Sequence, residues 1–208
     1  MFVQRDCCPP ADLVYTEREK RPPDGLYGLR VMERLREEMS AEKHLEKWPE
    51  SKPELYALLE RQLKALIEGE RHPLPNLANA SALLWQAMGE INWVGFYLNT
   101  GHNELLLGPF QGKTACIRIP FTRGVCGAAA REEKTQLVYD VHQFPGHIAC
   151  DSASNSELVV PLMKNGRLMG VLDIDSPSVG RFDADDQAGC EAVAALLAEG
   201  CDWDIWQI

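Results

Sequence analysis

Asn165-Gly166 separates two apolar-rich runs, Glu157–Lys164 and Arg167–Asp175. A two-residue type I′ turn needs positive φ at both central positions, and Asn-Gly tolerates that best, so the dipeptide predicts an antiparallel hairpin. The middle of the chain is thereby committed to an antiparallel sheet. Along Val171-Leu172-Asp173-Ile174-Asp175 the side chains alternate: Leu172 and Ile174 face one side, Asp173 and Asp175 the other. The two acids lie ~7 Å apart at their Cα atoms. If that face is open, they are its wet surface. If it is covered, they need a cationic partner or shared protons. Glu157 opens the partner strand, and a third carboxylate there would make a pocket suited to an ammonium group.

Helical signals flank the sheet. Ser51-Lys52-Pro53-Glu54 has the form of a capping box with Pro in the first turn, and Leu55, Leu59, Leu63, Leu66 and Ile67 recur at helical spacing. A second helix is expected after Asn76, with Leu77, Ala80, Leu84 and Met88 on one stripe. Trp93–Leu98 reads as a strand, Gly101-His102-Asn103 as a turn into Leu105-Leu106-Leu107, and Ala115–Ile119 and Leu137–Tyr139 as short strands. Gly124–Arg131 reads as a small-residue helix. Asp183 caps a last helix whose first turn is acidic. Helices before and after an antiparallel sheet make an α+β sandwich. Residues 1–50 hold Cys7-Cys8-Pro9-Pro10 and Arg21-Pro22-Pro23-Asp24-Gly25, then a charge-dense stretch, and read as an irregular or partly helical extension; 51–208 form the folded domain.

Charge and cysteine usage narrow the function. The net charge of −10 argues against nucleic acid or an anionic membrane as partner. Much of the excess sits beyond residue 182, where seven acids meet no Lys or Arg. No run approaches the ~18 apolar residues of a membrane span. The first residues lack the apolar core of a signal peptide, so a cytoplasmic, reducing compartment is expected, and the seven cysteines are read as thiols rather than structural bridges. Cys190 and Cys201 are about three helical turns apart and read as core residues. Cys116, Cys126 and Cys150 sit among Gly and polar residues and suit redox chemistry, in which one thiolate attacks and a second thiol relieves the oxidised sulfur.

Two other motifs weigh less. His147-Ile148-Ala149-Cys150 has ligand-like spacing, with His142, Asp151 and Cys126 as additions, but zinc sites usually show two paired motifs and only one is present. Gly108–Thr114 ends in Gly-Lys-Thr like a phosphate loop, yet lacks its first Gly at the required spacing and contains Pro109.

The runs Asn92–Tyr97, Gly108–Gly112, Cys116-Ile117, Gly124–Gly127, His147–Asp151, Ser156-Glu157 and Asp173–Pro177 together resemble the free methionine-(R)-sulfoxide reductases, cytosolic enzymes built on a GAF domain. The likeness covers roughly Ser51 to Cys201 and includes the three middle cysteines at intervals of 10 and 24 residues. It implies a GAF-like antiparallel sheet with flanking N- and C-terminal helices, free L-methionine (R)-sulfoxide as substrate, and no cofactor or metal. It also implies Cys150 as nucleophile, Cys116 as the thiol that forms the disulfide, and Cys126 as a further thiol. Glu157, Asp173 and Asp175 would bind the ammonium group, with one donating a proton, while Trp93 and Tyr97 wall the methyl-thio end. Thioredoxin would reduce the disulfide. GAF domains frequently dimerise, so a homodimer is compatible with this reading. The alternative is a non-catalytic GAF module that senses a small molecule.

Overall fold

The computed structural model describes residues 48–145 and 153–205. Helix α1 (Lys52–Ile67) and helix α2 (Pro73–Ala87) precede strands β1 (Trp93–Asn99), β2 (Glu104–Gly112) and β3 (Arg118–Pro120). Helix α3 (Gly124–Glu132), strand β4 (Gln136–Val138), the hairpin strands β5 (Ser156–Lys164) and β6 (Arg167–Ser176), and helix α4 (Ala184–Gly200) complete the order. The six strands form one sheet in the order β3-β2-β1-β6-β5-β4, with every pairing antiparallel.

The hairpin forms where the dipeptide demands it: Asn165 (φ 52°) and Gly166 (φ 72°) both occupy the left-handed region. Register then sorts the side chains. Val94, Phe96 and Leu98 of β1, Leu158, Val160 and Leu162 of β5, and Leu172 and Ile174 of β6 share one face, buried under α1, α2 and α4. The opposite face carries Trp93, Tyr97, Val159 and Val171, and packs against α3 through Val125, Cys126, Ala129 and Ala130. Small α3 residues let this helix lie close to the sheet. A break in register between Leu162 and Met163 turns Leu168 onto the α3 side.

The last helix is tied down by a polar cluster. Asp183 caps α4 in a reciprocal capping box with Asp186. The buried Asp186 carboxylate also accepts from Tyr56 Oη (2.8 Å), Lys52 Nζ and Arg181 Nη1, so its charge is matched across α1 and α4. Cys190 and Cys201 are buried, as expected of core residues, with Cys201 at the C-cap rather than within the helix.

Four local expectations need correction. Ser51 stands at the N-cap of α1 but makes no side-chain cap hydrogen bond, so the predicted capping box does not form. Helix α2 starts at Pro73, not after Asn76, because Pro73 and Pro75 fill a first turn that has no use for their missing N–H groups; Asn76 is buried and donates to Glu70 O. The strand expected over Ala115–Ile119 is Arg118–Pro120, since the Cys116 carbonyl bonds a side chain instead of a neighbouring strand. The strand expected over Leu137–Tyr139 is Gln136–Val138; Tyr139 has left the ladder, and its carbonyl accepts from Gly180 N (2.8 Å).

The contrast between the two caps is measurable. Asp183→Ala is expected to cost about 1 kcal/mol of unfolding free energy. Ser51→Ala, which removes no cap bond, should stay within about 0.5 kcal/mol of the parent. Urea titration of both variants decides, and equal losses would contradict the assignment.

Candidate active site

Three strands carry the site in register. Trp93 of β1 faces Asp175 of β6, which faces Glu157 of β5; one step along, Gly95 faces Asp173, which faces Val159. Alternation therefore puts Glu157, Asp173, Asp175 and Trp93 on the α3 side, where Cys126 in the first turn of α3 covers them. Gly95 makes room. A Cβ there would stand 2.3 Å from Phe110 Cβ and 2.7 Å from the Trp93 ring, so only glycine lets that indole lie along the sheet. The ring stacks on Phe110 (centroids 5.3 Å apart) and Tyr97 (5.8 Å).

These groups line a pocket of about 550 Å³, including the part open to solvent. Its walls are Trp93 and Tyr97, the segment Lys113–Ala115, the start of α3 through Cys126, Ser154, and the carboxyls of Glu157, Asp173 and Asp175. Of the two alternatives left open by the sequence, the covered face holds for two of the three acids: Glu157 and Asp173 are each only 6% exposed, and Asp175 is half-buried. Asp173 Oδ1 is buried with no hydrogen-bond partner among the described residues. Such an oxygen is costly unless something arrives to meet it.

Electrostatics follow from that burial. Desolvation, reinforced by the Asp173 and Asp175 charges, pushes the Glu157 carboxyl well above its ordinary range. Desolvation also pushes Asp173 up to about 6, against the pull of hydrogen bonds from Cys126, Glu157 and the Ile174 backbone. Cys126 Sγ lies 4.0 Å from Glu157 Oε1. Burial and the adjacent Asp173 and Glu157 carboxyls push this thiol well above its usual value, so it is a proton donor to the acids and a poor attacking thiolate.

Cys116 is half-buried on the segment between β2 and β3, and its carbonyl accepts from the Tyr97 hydroxyl (3.1 Å). Cys150 and the His147–Asp151 run lie outside the described residues, as do Cys7 and Cys8. His142, named in the metal alternative, is exposed and paired with Asp140 (2.9 Å). The donor atoms of Cys126, Glu157 and Asp173 lie within 4.8 Å of one another, a spacing that a cation could bridge. Ser154 is a buried pocket residue that pattern reading did not single out; its hydroxyl accepts from Asn92 Nδ2, and a lone serine in a polar loop offers no periodic signal.

Relatives of known kind share this fold and its sequence. A GAF domain family model matches residues 78–200. Free methionine-R-sulfoxide reductase of Escherichia coli (strain K12) is 52% identical over 147 residues, spanning 71% of this chain and 88% of that protein. The enzyme of the same name from Saccharomyces cerevisiae is 44% identical over 158 residues, spanning 73% and 88%. The structure of free methionine-R-sulfoxide reductase from Neisseria meningitidis in complex with its substrate superposes with a TM-score of 0.71 at 45% identity, covering 76% of this chain and 95% of that one. Likeness to a GAF domain of a phosphoenolpyruvate-protein phosphotransferase from Coxiella burnetii (TM-score 0.66, 19% identity, covering 72% and 94%) shows the fold alone. Identity and coverage of this order, together with the pocket, establish that the chain belongs to the free methionine-R-sulfoxide reductases, oxidoreductases built on the GAF domain.

Proposed function

We propose that this protein reduces free L-methionine (R)-sulfoxide to L-methionine, using its own thiols as the electron source. The observation that carries the reading is the buried carboxylate cluster at an aromatic-walled pocket, with an Asp173 Oδ1 that has no hydrogen-bond partner among the described residues. A free amino acid brings an ammonium group that satisfies that oxygen, and a methyl-thio end that suits Trp93 and Tyr97. Asp173 and Asp175 hold the ammonium. Glu157, kept protonated by its surroundings, donates a proton to the sulfoxide oxygen as the substrate sulfur is attacked.

The sulfur chemistry runs in two halves. The Cys150 thiolate attacks the substrate sulfur, the protonated oxygen passes from that sulfur to the cysteine sulfur as methionine leaves, and Cys150 is left as a sulfenic acid. Cys116 then attacks that sulfur, an S–S bond forms, and hydroxide leaves to become water. Cys126, whose Sγ lies 4.0 Å from Glu157 Oε1, remains a reserve thiol. Thioredoxin reduces the disulfide. Cys126, Cys190 and Cys201 are unbridged, in keeping with the reducing cytoplasm. No helix among the described residues is long and apolar enough to cross a membrane. A metal is the weaker occupant of the Cys126–Glu157–Asp173 cluster, because metal binding needs deprotonated ligands and these three are all pushed toward their protonated forms.

The decisive assay offers separate (R) and (S) epimers of free methionine sulfoxide, and the same epimers within a peptide, with dithiothreitol and then thioredoxin. Without a free ammonium, Asp173 Oδ1 gains no partner from the substrate, so kcat/KM for peptide-bound sulfoxide is expected to fall by roughly 100-fold or more. Equal turnover of the two would sink the reading.

Cysteine variants separate the two halves. Cys150→Ser should release no methionine, whereas Cys116→Ser should release about one equivalent per enzyme and then stall. Multi-turnover activity in Cys150→Ser with thioredoxin would reverse the assignment.

Asp173 sets a pH dependence. Its folded value of about 6 exceeds the ~3.9 of an unfolded chain, so between these values the folded protein holds a proton that the unfolded chain has lost. Stability without ligand therefore declines as pH rises through about 6, while a bound ammonium favours the ionised acid. Calorimetry should find L-methionine binding tighter as pH rises from about 5 to 7, alongside a falling Tm of the ligand-free protein. Binding that is flat over this window would count against ionised Asp173 as the ammonium partner.

A further inference from the structure

Residues 113–117 cross from β2 to β3 as a strap along one wall of the pocket, and three of their carbonyls are spoken for. Trp93 Nε1 donates to Lys113 O (3.1 Å), Tyr97 Oη donates to Cys116 O (3.1 Å), and Leu107 N donates to Ile117 O (2.9 Å). The first two donors project from the same face of β1, four residues apart. Their rings are themselves held, stacked on each other and, for Trp93, on Phe110. Tyr97 is 1% exposed, so its hydroxyl has little freedom to search. The strap is thus pinned at both ends by aromatic side chains of a central strand, and one pin falls on the backbone of the residue that carries the thiol.

We propose that Tyr97 is a positioning residue for disulfide formation: its hydroxyl fixes the Cys116 backbone, and through it the approach of the Cys116 thiol to the sulfenic acid. This rests on Cys116 being the resolving thiol. In the step it governs, the Cys116 sulfur attacks the sulfenic sulfur, the S–S bond forms as the S–O bond breaks, and the thiol proton leaves with hydroxide as water. No outside oxidant or reductant enters. The proposal assigns the hydroxyl a task apart from the ring. The ring walls the pocket and acts on substrate, whereas the hydroxyl holds the strap at the Cys116 carbonyl. Phenylalanine keeps the first and removes the second.

The test follows one turnover of Tyr97→Phe with stoichiometric free methionine (R)-sulfoxide and no reductant. Methionine release reports the first half-reaction. Mass analysis after alkylation reports disulfide formation, and a 1,3-dione probe traps sulfenic acid. The rate of disulfide formation relative to methionine release is expected to fall about tenfold, the size of one lost hydrogen bond, with more sulfenic acid trapped. Trp93→Phe, which removes the pin at Lys113, should lower the same ratio. If both variants keep the wild-type ratio, the positioning role is wrong. The underlying reading fails separately: Cys116→Ser forming an intramolecular disulfide at the wild-type rate would show that another thiol resolves, whatever Tyr97→Phe does.

Discussion

Burial of carboxylic acids on a central strand is the constraint around which the rest of the molecule is arranged. Asp173 lies on β6, which pairs on both sides, and Glu157 lies on its neighbour β5. Both are only 6% exposed, with α3 packed over the face that carries them. The face over them has to be closed by something thin, and α3 supplies alanines and Cys126 where bulkier residues would lift the helix away. Gly95 plays the matching part on β1 by leaving the space in which the Trp93 ring lies. Each of these residues is small because the acids beneath need a low, partly dry roof with an opening at one side.

The same burial divides labour among groups of like chemistry. Three carboxyls in one polar solvent would titrate together. Here Glu157 is driven far up, and Asp173 to about 6. Carboxyls separated in this way can serve as acid and as anion at one pH, which is the arrangement that reduction of a zwitterionic sulfoxide requires. The thiols divide likewise. Cys126 is embedded among acids that oppose its ionisation, whereas Cys116 sits half-buried on the strap outside the cluster. A generic GAF sensor has no evident need for either division.

Much of this was legible in the chain itself, for specific reasons. Asn165-Gly166 announced the hairpin because few dipeptides accept its backbone angles, and the period of two then put Asp173 and Asp175 on one face. What alternation could not say was whether that face is wet or covered. That depended on α3, whose small-residue composition gives no direction of packing. The capping signal at Ser51 misled because the motif describes side chains able to form a box, whereas the Asp183 box was realised. The strap between β2 and β3 read as a strand because its β-branched and apolar residues resemble one. Two of its carbonyls, at Lys113 and Cys116, are taken by aromatic side chains more than a dozen residues away, a competition that no local pattern records. Ser154 was missed for a related reason: its importance lies wholly in where the sheet places it.

The placement of the acids on interior strands and of Cys116 near the edge has a further consequence. Protection against amide exchange is graded, greatest where a strand is paired on both sides and least at the rim. Asp173 and Glu157 belong to the slowest-exchanging part of the molecule, and the strap to a part with fewer neighbours, beside the three-residue edge strand β3. On the proposed roles, recognition and redox turnover reside in regions of unequal local stability. Under mild stress, loosening of the rim would leave a protein that still holds its amino acid but no longer completes its cycle, and the two abilities would be lost in that order.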